Sequence, residues 1–354
     1  MQKPWSTILI IVATVGCLGL AALVGYMVAT SPLSSSGTSG TTTGTSTAGK
    51  TPSTTGTSTS TAPTGGREMS PAAIRAANPS GAWNNDLTML SSTDGVTFTS
   101  PKTVVENGGV PSMTKGTDGT LYLVFQWFPT DDDDSFDKIA TKKSTDNGKT
   151  WSDPELIVID GFPAEYARPY DPTIAVGSDG KLHLFFTTGA TRMQDIAYIT
   201  SAVGTDGVNF TWEPGSRLDV TDEPNYDCAA AELNGTWYLM TPRWPEASGT
   251  GIINEFYTTS SEDGITFKKG TQMTGASTDM NWTGNLLVED DTLWFYGSGK
   301  NGMWRASSTD GNTWSAKSSL TMAQGGADPA IIKTDAGTYL IVSVTMPTST
   351  QTQR

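Results

Sequence analysis

Residues 144–151 read STDNGKTW, and close relatives recur at STDGVTF (92–98), GTDGVNF (204–210), SEDGITF (261–267) and STDGNTW (308–314). Four of these five copies end in Thr-Phe or Thr-Trp, and the copy at 204–210 carries Asn209 before its Phe. In each, a Gly stands one or two places after the Asp. This is a tight-turn signal, because Gly accepts φ > 0 at little cost. The carboxylates of Asp94, Asp146, Asp206, Asp263 and Asp310 can accept hydrogen bonds from backbone N–H groups of their own turns. The closing aromatic ring can then tuck into the seam between strands. These five aspartates are therefore expected to be structural, each holding one strand to the next.

A larger unit surrounds each copy. An apolar strand begins at PSMTK (111–115), DPTIAV (171–176), CAAAEL (228–233), TGNLLVE (283–289) and DPAIIK (328–333). A turn follows, then a second apolar strand at LYLVFQWF (121–128), KLHLFFTT (181–188), TWYLMT (236–241), TLWFYG (292–297) and TYLIVSV (338–344). A third strand leads into the motif and a fourth leads out. The units repeat about every 46–61 residues, and a period of that size built from four short strands marks a β-propeller blade. The first motif precedes any inner strand, and the last inner pair is followed by no motif. Joining these two half-blades closes the ring and removes its free sheet edges. The predicted fold is an all-β, five-bladed β-propeller over about residues 83–346, closed by N-terminal strands that join the C-terminal blade.

The chain has 354 residues and a formal net charge of -14, with a pI near 4.4. Such an acidic chain repels phosphate backbones, which excludes nucleic acid as a partner. A single histidine, His183, leaves no His-rich metal site and no Ser-His-Asp triad. The two cysteines are Cys17 and Cys228, and Cys17 lies in an apolar segment, so no disulfide is expected. Ile8 to Ala29 runs about 22 residues without a charge, enough to span a bilayer core. Lys3 precedes it and the next basic residue is Lys50. The expectation is a single-pass signal anchor over residues 1–30, with the N-terminus cytoplasmic and the rest extracellular or periplasmic. A cleaved signal peptide would have a shorter apolar core. Residues 31–66 are almost wholly Ser, Thr, Gly, Pro and Ala and read as a disordered tether with a reach of about 30–35 Å. Residues 67–82 form a lead-in and 347–354 a C-terminal tail.

The motif S-x-D-x-G-x-T-W resembles the Asp-box, or BNR repeat, of the sialidase-like propellers. The resemblance implies a peripheral, non-catalytic place for the five motif aspartates. Sialidases of that type have six blades, whereas the strand arithmetic here gives five.

In a propeller the first strand of each blade lines the channel. The loops entering it share a face with the loops from strand two to strand three. In this chain those loops are rich in Trp, Tyr, Arg and carboxylate. Aromatic faces stack on sugar rings and charged groups fix hydroxyls, a mixture suited to carbohydrate or glycoconjugate. The substrate-binding candidates are Trp127, Arg168, Tyr170, Arg192, Tyr226, Arg243, Trp244 and Trp282. Asp171, Asp227 and Asp328 recur at the mouth of strand one in blades two, three and five, and paired carboxylates are the usual equipment of glycosidic hydrolysis. An Asp before Pro also caps turns at strand starts, without any chemistry.

The D-P-x-I openings at Asp171-Pro172 and Asp328-Pro329 are similar to those of five-bladed arabinanase- and xylosidase-type glycosidases. That similarity implies Asp171 as general base, with Asp328 as a second candidate. It implies Asp227 as the residue tuning its pKa and a Glu as acid, a place Glu255 or Glu246 could fill. The expectation is a cell-surface glycoside hydrolase-like propeller. One alternative is a non-catalytic propeller binding glycan or protein, because Val110 and Trp282 stand where two blades would carry Asp. A second is a sialidase, with Arg168, Arg192 and Arg243 meeting a substrate carboxylate and Tyr226 or Tyr166 paired with Glu255. No cofactor is required. The run Asp131–Asp134 with Asp137 offers oxygen ligands that would suit Ca2+, or it is a solvated loop. His183 reads as a packed strand residue, and Cys228 as a small buried side chain.

Overall fold

The computed structural model describes residues 70–79, 81–166, 168–189, 197–218, 225–243, 255–273 and 283–345. The expected anchor, tether and C-terminal tail lie outside these residues. Among the described residues no helix is long and apolar enough to cross a membrane.

The strands form five sheets, one per blade, arranged as a propeller. Blade one runs Gly108–Lys115, Leu121–Trp127, Lys138–Ser144 and Glu155–Leu156 from hub to rim. Blade two runs Tyr170–Val176, Leu182–Thr188, Tyr198–Gly204 and Asn209–Glu213. Blade three runs Ala229–Leu233, Thr236–Arg243, Glu255–Ser261 and Thr271–Gln272, and blade four runs Asn285–Glu289, Thr292–Gly299, Gly302–Ser308 and Ser318–Ser319. Blade five is composite. Its inner strands, Ala327–Lys333 and Tyr339–Thr345, come from the C-terminal end, and its outer strands, Asp86–Ser92 and Thr97–Val105, from the N-terminal end. Asp86–Ser92 pairs antiparallel with Tyr339–Thr345 in unbroken register, from Asp86 opposite Thr345 to Ser92 opposite Tyr339.

Second strands are apolar on both faces because each blade is covered by a neighbour on either side. Every residue of Tyr339–Thr345 is buried. The core is accordingly divided among the seams. Leu87, Val342 and Val344 pack with Met113, Leu123 and Phe125 between blades five and one, and Phe256 packs with Phe295 and Trp314 between blades three and four. Each fully buried Leu or Phe contributes about 1.5–3 kcal/mol, so the seams hold the ring together. Polar groups lock the hub. The Ser112 hydroxyl accepts from Ile174 N–H at 3.1 Å and from Asn285 Nδ2 at 3.1 Å. Asn285 Oδ1 accepts from Ile331 N–H at 3.2 Å. Four blades are thus tied by two buried side chains.

The eight-residue motif closes strand three onto strand four at the end opposite the strand-one openings. Asp310 Oδ1 accepts from the Asn312 and Thr313 N–H groups at 2.8 and 2.7 Å. The Ser308 hydroxyl donates to the same carboxylate at 3.0 Å and accepts from Gly311 N–H at 2.8 Å. Equivalent bonds recur at Asp94, Asp146 and Asp263. At Asp206 the leading Ser is replaced by Gly204, and Asn209 Nδ2 reaches the carboxylate instead, at 2.9 Å.

The last letter of the motif separates two kinds of blade rim. In the copies ending in Phe, the strand after the ring receives the tail of the previous blade in parallel. Val158–Asp160 joins Asn209–Glu213, Thr321–Met322 joins Thr97–Val105, and Leu218 bridges Phe267. In the copies ending in Trp, a Ser follows and folds back on its own blade. Ser152 and Ser315 donate N–H to the Lys143 and Ser307 carbonyls, and their hydroxyls accept the return N–H at 3.0 Å. A side chain there replaces a ladder partner. The turn bonds at Ser308 lead to an expected outcome. Ser308→Ala should lower unfolding free energy in urea titration by about 1–3 kcal/mol, because the buried Gly311 N–H, the Asp310 N–H and a carboxylate lose a partner. Exposed Thr309→Ala should stay within about 0.5 kcal/mol. Equal losses would show that the motif hydroxyl does not hold the turn.

Candidate functional site

Each described inner strand that opens on an Asp or Val does so through a residue in the left-handed region. The φ values are 47° at Val110, 50° at Asp171, 53° at Asp227 and 54° at Asp328. The ladder slips there, between Gly109 and Ser112, Tyr170 and Thr173, and Ala327 and Ala330. A bulge of this kind re-aims one side chain out of the alternation. Asp tolerates that conformation better than most residues. A β-branched Val does not, so Val110 shows that the ring imposes the bend and the side chain follows.

These left-handed openings gather Asp171, Asp227 and Asp328 from blades two, three and five. Asp227 and Asp328 are buried and Asp171 is partly exposed. Burial lifts the carboxyl of all three, and the negative charge of Asp171 lifts Asp227 and Asp328 further. Asp328 adds to the rise at Asp227. Asp171 is pushed up to about 7 by burial, opposed by the Arg168 guanidinium and by a Thr187 hydroxyl 3.5 Å away. Burial and Asp171 together hold the Tyr170 phenol protonated, and burial with Asp171 and Asp227 pushes Tyr226 up to about 12. Asp171, Asp227, Asp328, Arg168, Tyr170 and Tyr226 therefore form one electrostatic unit.

Hydroxyls from the preceding blade hold the openings at Asp227 and Asp328. Thr187 Oγ1 accepts from Asp227 N–H at 3.0 Å while donating toward Asp171. Ser298 Oγ accepts from Asp328 N–H at 3.1 Å. Thr283 of blade four donates its N–H to Asp227 Oδ2 at 3.1 Å and its hydroxyl to the Asp227 carbonyl at 3.1 Å. Composition did not single out Thr187, Ser298 or Thr283. The available signal was a hydroxyl residue near the mouth end of strand two in blades two and four.

The remaining candidates fall in different places. Trp127 is partly buried against the apolar seam between blades five and one. Arg243 and Glu255 face each other in the ladder of blade three, with their side chains outside the described structure. Arg192, Trp244, Glu246 and Trp282 lie outside the described residues. Asp94, Asp146, Asp206, Asp263 and Asp310 sit in turns at the ends of third strands, away from the mouth. Among the described residues no group of three or more His, Cys, Asp or Glu side chains is arranged to hold a metal ion. Asp132 instead caps its own turn, accepting from Asp134 N–H at 3.0 Å and Ser135 N–H at 3.3 Å. His183 lies in strand two of blade two with its ring 4.6 Å from that of Trp237. Cys228 is a buried free thiol, pushed up by burial and by Asp227.

A cavity of about 280 Å³ opens at the other end of the channel, lined by Met113, Ile174, Ala230, Leu286 and Ile331. Its rim charges have partners among the described residues. Lys115 meets Asp335 at 2.6 Å, Lys333 meets Glu289, and Glu232 accepts from Ser178 N–H at 2.8 Å. The titratable chemistry is at the aspartate mouth.

The fold is shared with known enzymes. A GH43_1 enzyme from Xanthomonas citri complexed with xylose superposes with a TM-score of 0.51 and 14% identity, over 67% of this chain and 85% of that one. An alpha-L-arabinofuranosidase from Lactobacillus brevis gives a TM-score of 0.50 and 14% identity, over 68% and 84%. A Hadza microbial sialidase superposes more loosely, with a TM-score of 0.44 and 13% identity over 68% and 56%. No family profile matches the sequence, and no curated protein does. The chain thus has the propeller fold seen in glycoside hydrolases.

The three lifted carboxyls make stability depend on pH. The ordinary value is 3.8 and Asp171 is pushed up to about 7, so between about pH 4 and 7 the folded protein holds protons that the unfolded chain has released, and Asp227 and Asp328 are lifted in the same direction. Stability from these groups is present at low pH and is lost as pH rises through that window. Tm should therefore fall on going from pH 4 to pH 8. Asp227→Asn, which keeps the acceptor for Thr283, should flatten the fall and raise Tm at pH 8 by about 2–4 °C per kcal/mol recovered. An unchanged slope in calorimetry would remove Asp227 from the set of lifted carboxyls.

Proposed function

We propose that this protein is an exo-acting glycoside hydrolase displayed at the cell surface on its N-terminal tether, and that Asp171 is its general base. The observation that carries this reading is the set of three buried or half-buried carboxyls that repel one another at the mouth, of which Asp171 alone is partly exposed. A carboxyl lifted to about 7 is a stronger base than an ordinary one and can take a proton from water attacking the anomeric carbon. Asp227 and Asp328 tune it. If either ionises, its negative charge raises Asp171 further, and if both stay protonated, Asp171 ionises more easily. Tyr170, Tyr226 and Arg168 border the base and would bind the sugar. Glu255, opposite Arg243 in the blade-three ladder, is the acid in this reading. The substrate class is a neutral sugar such as a pentose glycoside, in keeping with the enzymes that share the fold.

The second reading is a non-catalytic propeller that binds glycan or protein. Val110 favours it, because this apolar residue fills the aspartate position in blade one with the same strained backbone.

Chromogenic arabinofuranosides and xylosides distinguish the two. The expected kcat/KM rises with pH to a plateau above about 7 and falls by about 10²-fold or more in Asp171→Asn. Turnover that survives in Asp171→Asn would remove the base. Saturable glycan binding without turnover at any pH would establish the second reading.

A further inference from the structure

Position for position, Gln126 of blade one, Thr187 of blade two and Ser298 of blade four are equivalent, lying opposite Ile139, Ile199 and Met303 of their third strands. Thr187 and Ser298 reach forward to the left-handed Asp of the next blade. Gln126 does not. Its Nε2 donates to Asp137 Oδ1, and the other oxygen of Asp137 is ion-paired with Arg168. Asp137 is held in the left-handed region at φ 63°, and its N–H donates to the Trp127 carbonyl at 2.8 Å.

The loop that ends at Asp137 is clamped from outside. Helix Pro71–Ala77, capped by Ser70, lays Arg75 over the Phe136 ring at 4.6 Å. Arg75 also donates to the Phe128 carbonyl at 2.7 Å and to the Pro129 carbonyl. Phe128, Phe136 and Trp83 pack together beneath the helix, with Ile74 against them. Two layers of contacts therefore fix a strained Asp whose carboxylate meets Gln126 and Arg168.

We propose that Asp137 is a positioning residue, which holds the Arg168 guanidinium beside Asp171 and so sets the charge of the mouth. Without it, a half-exposed arginine has the option of turning to water, and Asp171 loses its one cationic neighbour among the described residues. The groups facing Asp171 are Arg168 and Tyr170 on its own segment, Thr187 on strand two, Tyr226 and Asp227 on blade three, and Asp328 on blade five. Of these, Arg168 alone favours the carboxylate by its charge. Asp137 thus links the outer helix and the loop of blade one to the proton affinity of a group on blade two. The catalytic meaning of this link rests on Asp171 being the base, but the link itself is readable without turnover.

The test is a carboxyl titration by carbon NMR of the folded chain labelled at aspartate side-chain carbons, with the Asp171 signal identified by its loss in Asp171→Asn. The midpoint, about 7 in the parent, should rise by about one pH unit or more in Asp137→Asn and Asp137→Ala as the opposite charge is lost. Asp132→Asn removes a charge from the same loop without touching Arg168, and should leave the midpoint in place. A midpoint that is unchanged or lower in the Asp137 variants would overturn the proposal, as would an equal rise in Asp132→Asn. Should the Asp137 variants fail to fold, Arg168→Gln reads the same coupling, and an unmoved midpoint there overturns it. Absence of glycoside turnover would sink the hydrolase reading while leaving this titration intact.

Discussion

The whole molecule depends on the antiparallel pairing of Asp86–Ser92 with Tyr339–Thr345. It joins strands from opposite ends of the chain and turns a row of blades into a ring. Thr88 and Thr345 share a buried hydroxyl–hydroxyl bond of 2.8 Å across this seam. Without the pairing, two sheet edges would stand open and the seam between blades five and one would lose Leu87 and Met89. The hub would lose more. Asp328 stands near Asp171 and Asp227 only because blade five is held against the rest.

Ring closure also explains why the hub tolerates acids. Taking a carboxylate out of water is costly, and proteins usually avoid that cost by keeping the group protonated. The three aspartates follow that course, with raised proton affinities, and neighbouring hydroxyls hold the N–H groups of Asp227 and Asp328. The rim does the reverse. Asp146 and Asp310 accept hydrogen bonds from their own turns in water and are lowered to about 2. One residue type, twice per blade in three of the blades, is thus driven in opposite directions by burial at the hub and by backbone N–H groups at the rim.

Two faces of the ring divide the work. The motif turns lie where third strands end, and the bulged openings lie where first strands begin. The far mouth is lined by apolar side chains with paired rim charges. At the near mouth the backbone is strained, the carboxyls repel one another, and both ends of the described chain arrive, at Thr345 and at the helix that braces the loop of blade one.

The period of the motif, the count of blades and their closure were legible in the chain itself, because a turn such as Asp310-Gly311 carries all its partners within a few residues. The same holds for Asp171, Asp227 and Asp328 as a recurring opening. Thr187, Ser298 and Thr283 were not legible, since each acts on a residue of another blade. Asp137 read as one acid in a run of acids, and Trp127 as a sugar platform although it packs against a seam. Sequence by itself determined the repeating local unit, whose hydrogen bonds close within it. Tertiary structure alone decided which carboxyls keep their protons and which arginine stands beside them, because desolvation and Coulomb energy depend on distances between segments that the chain order does not set.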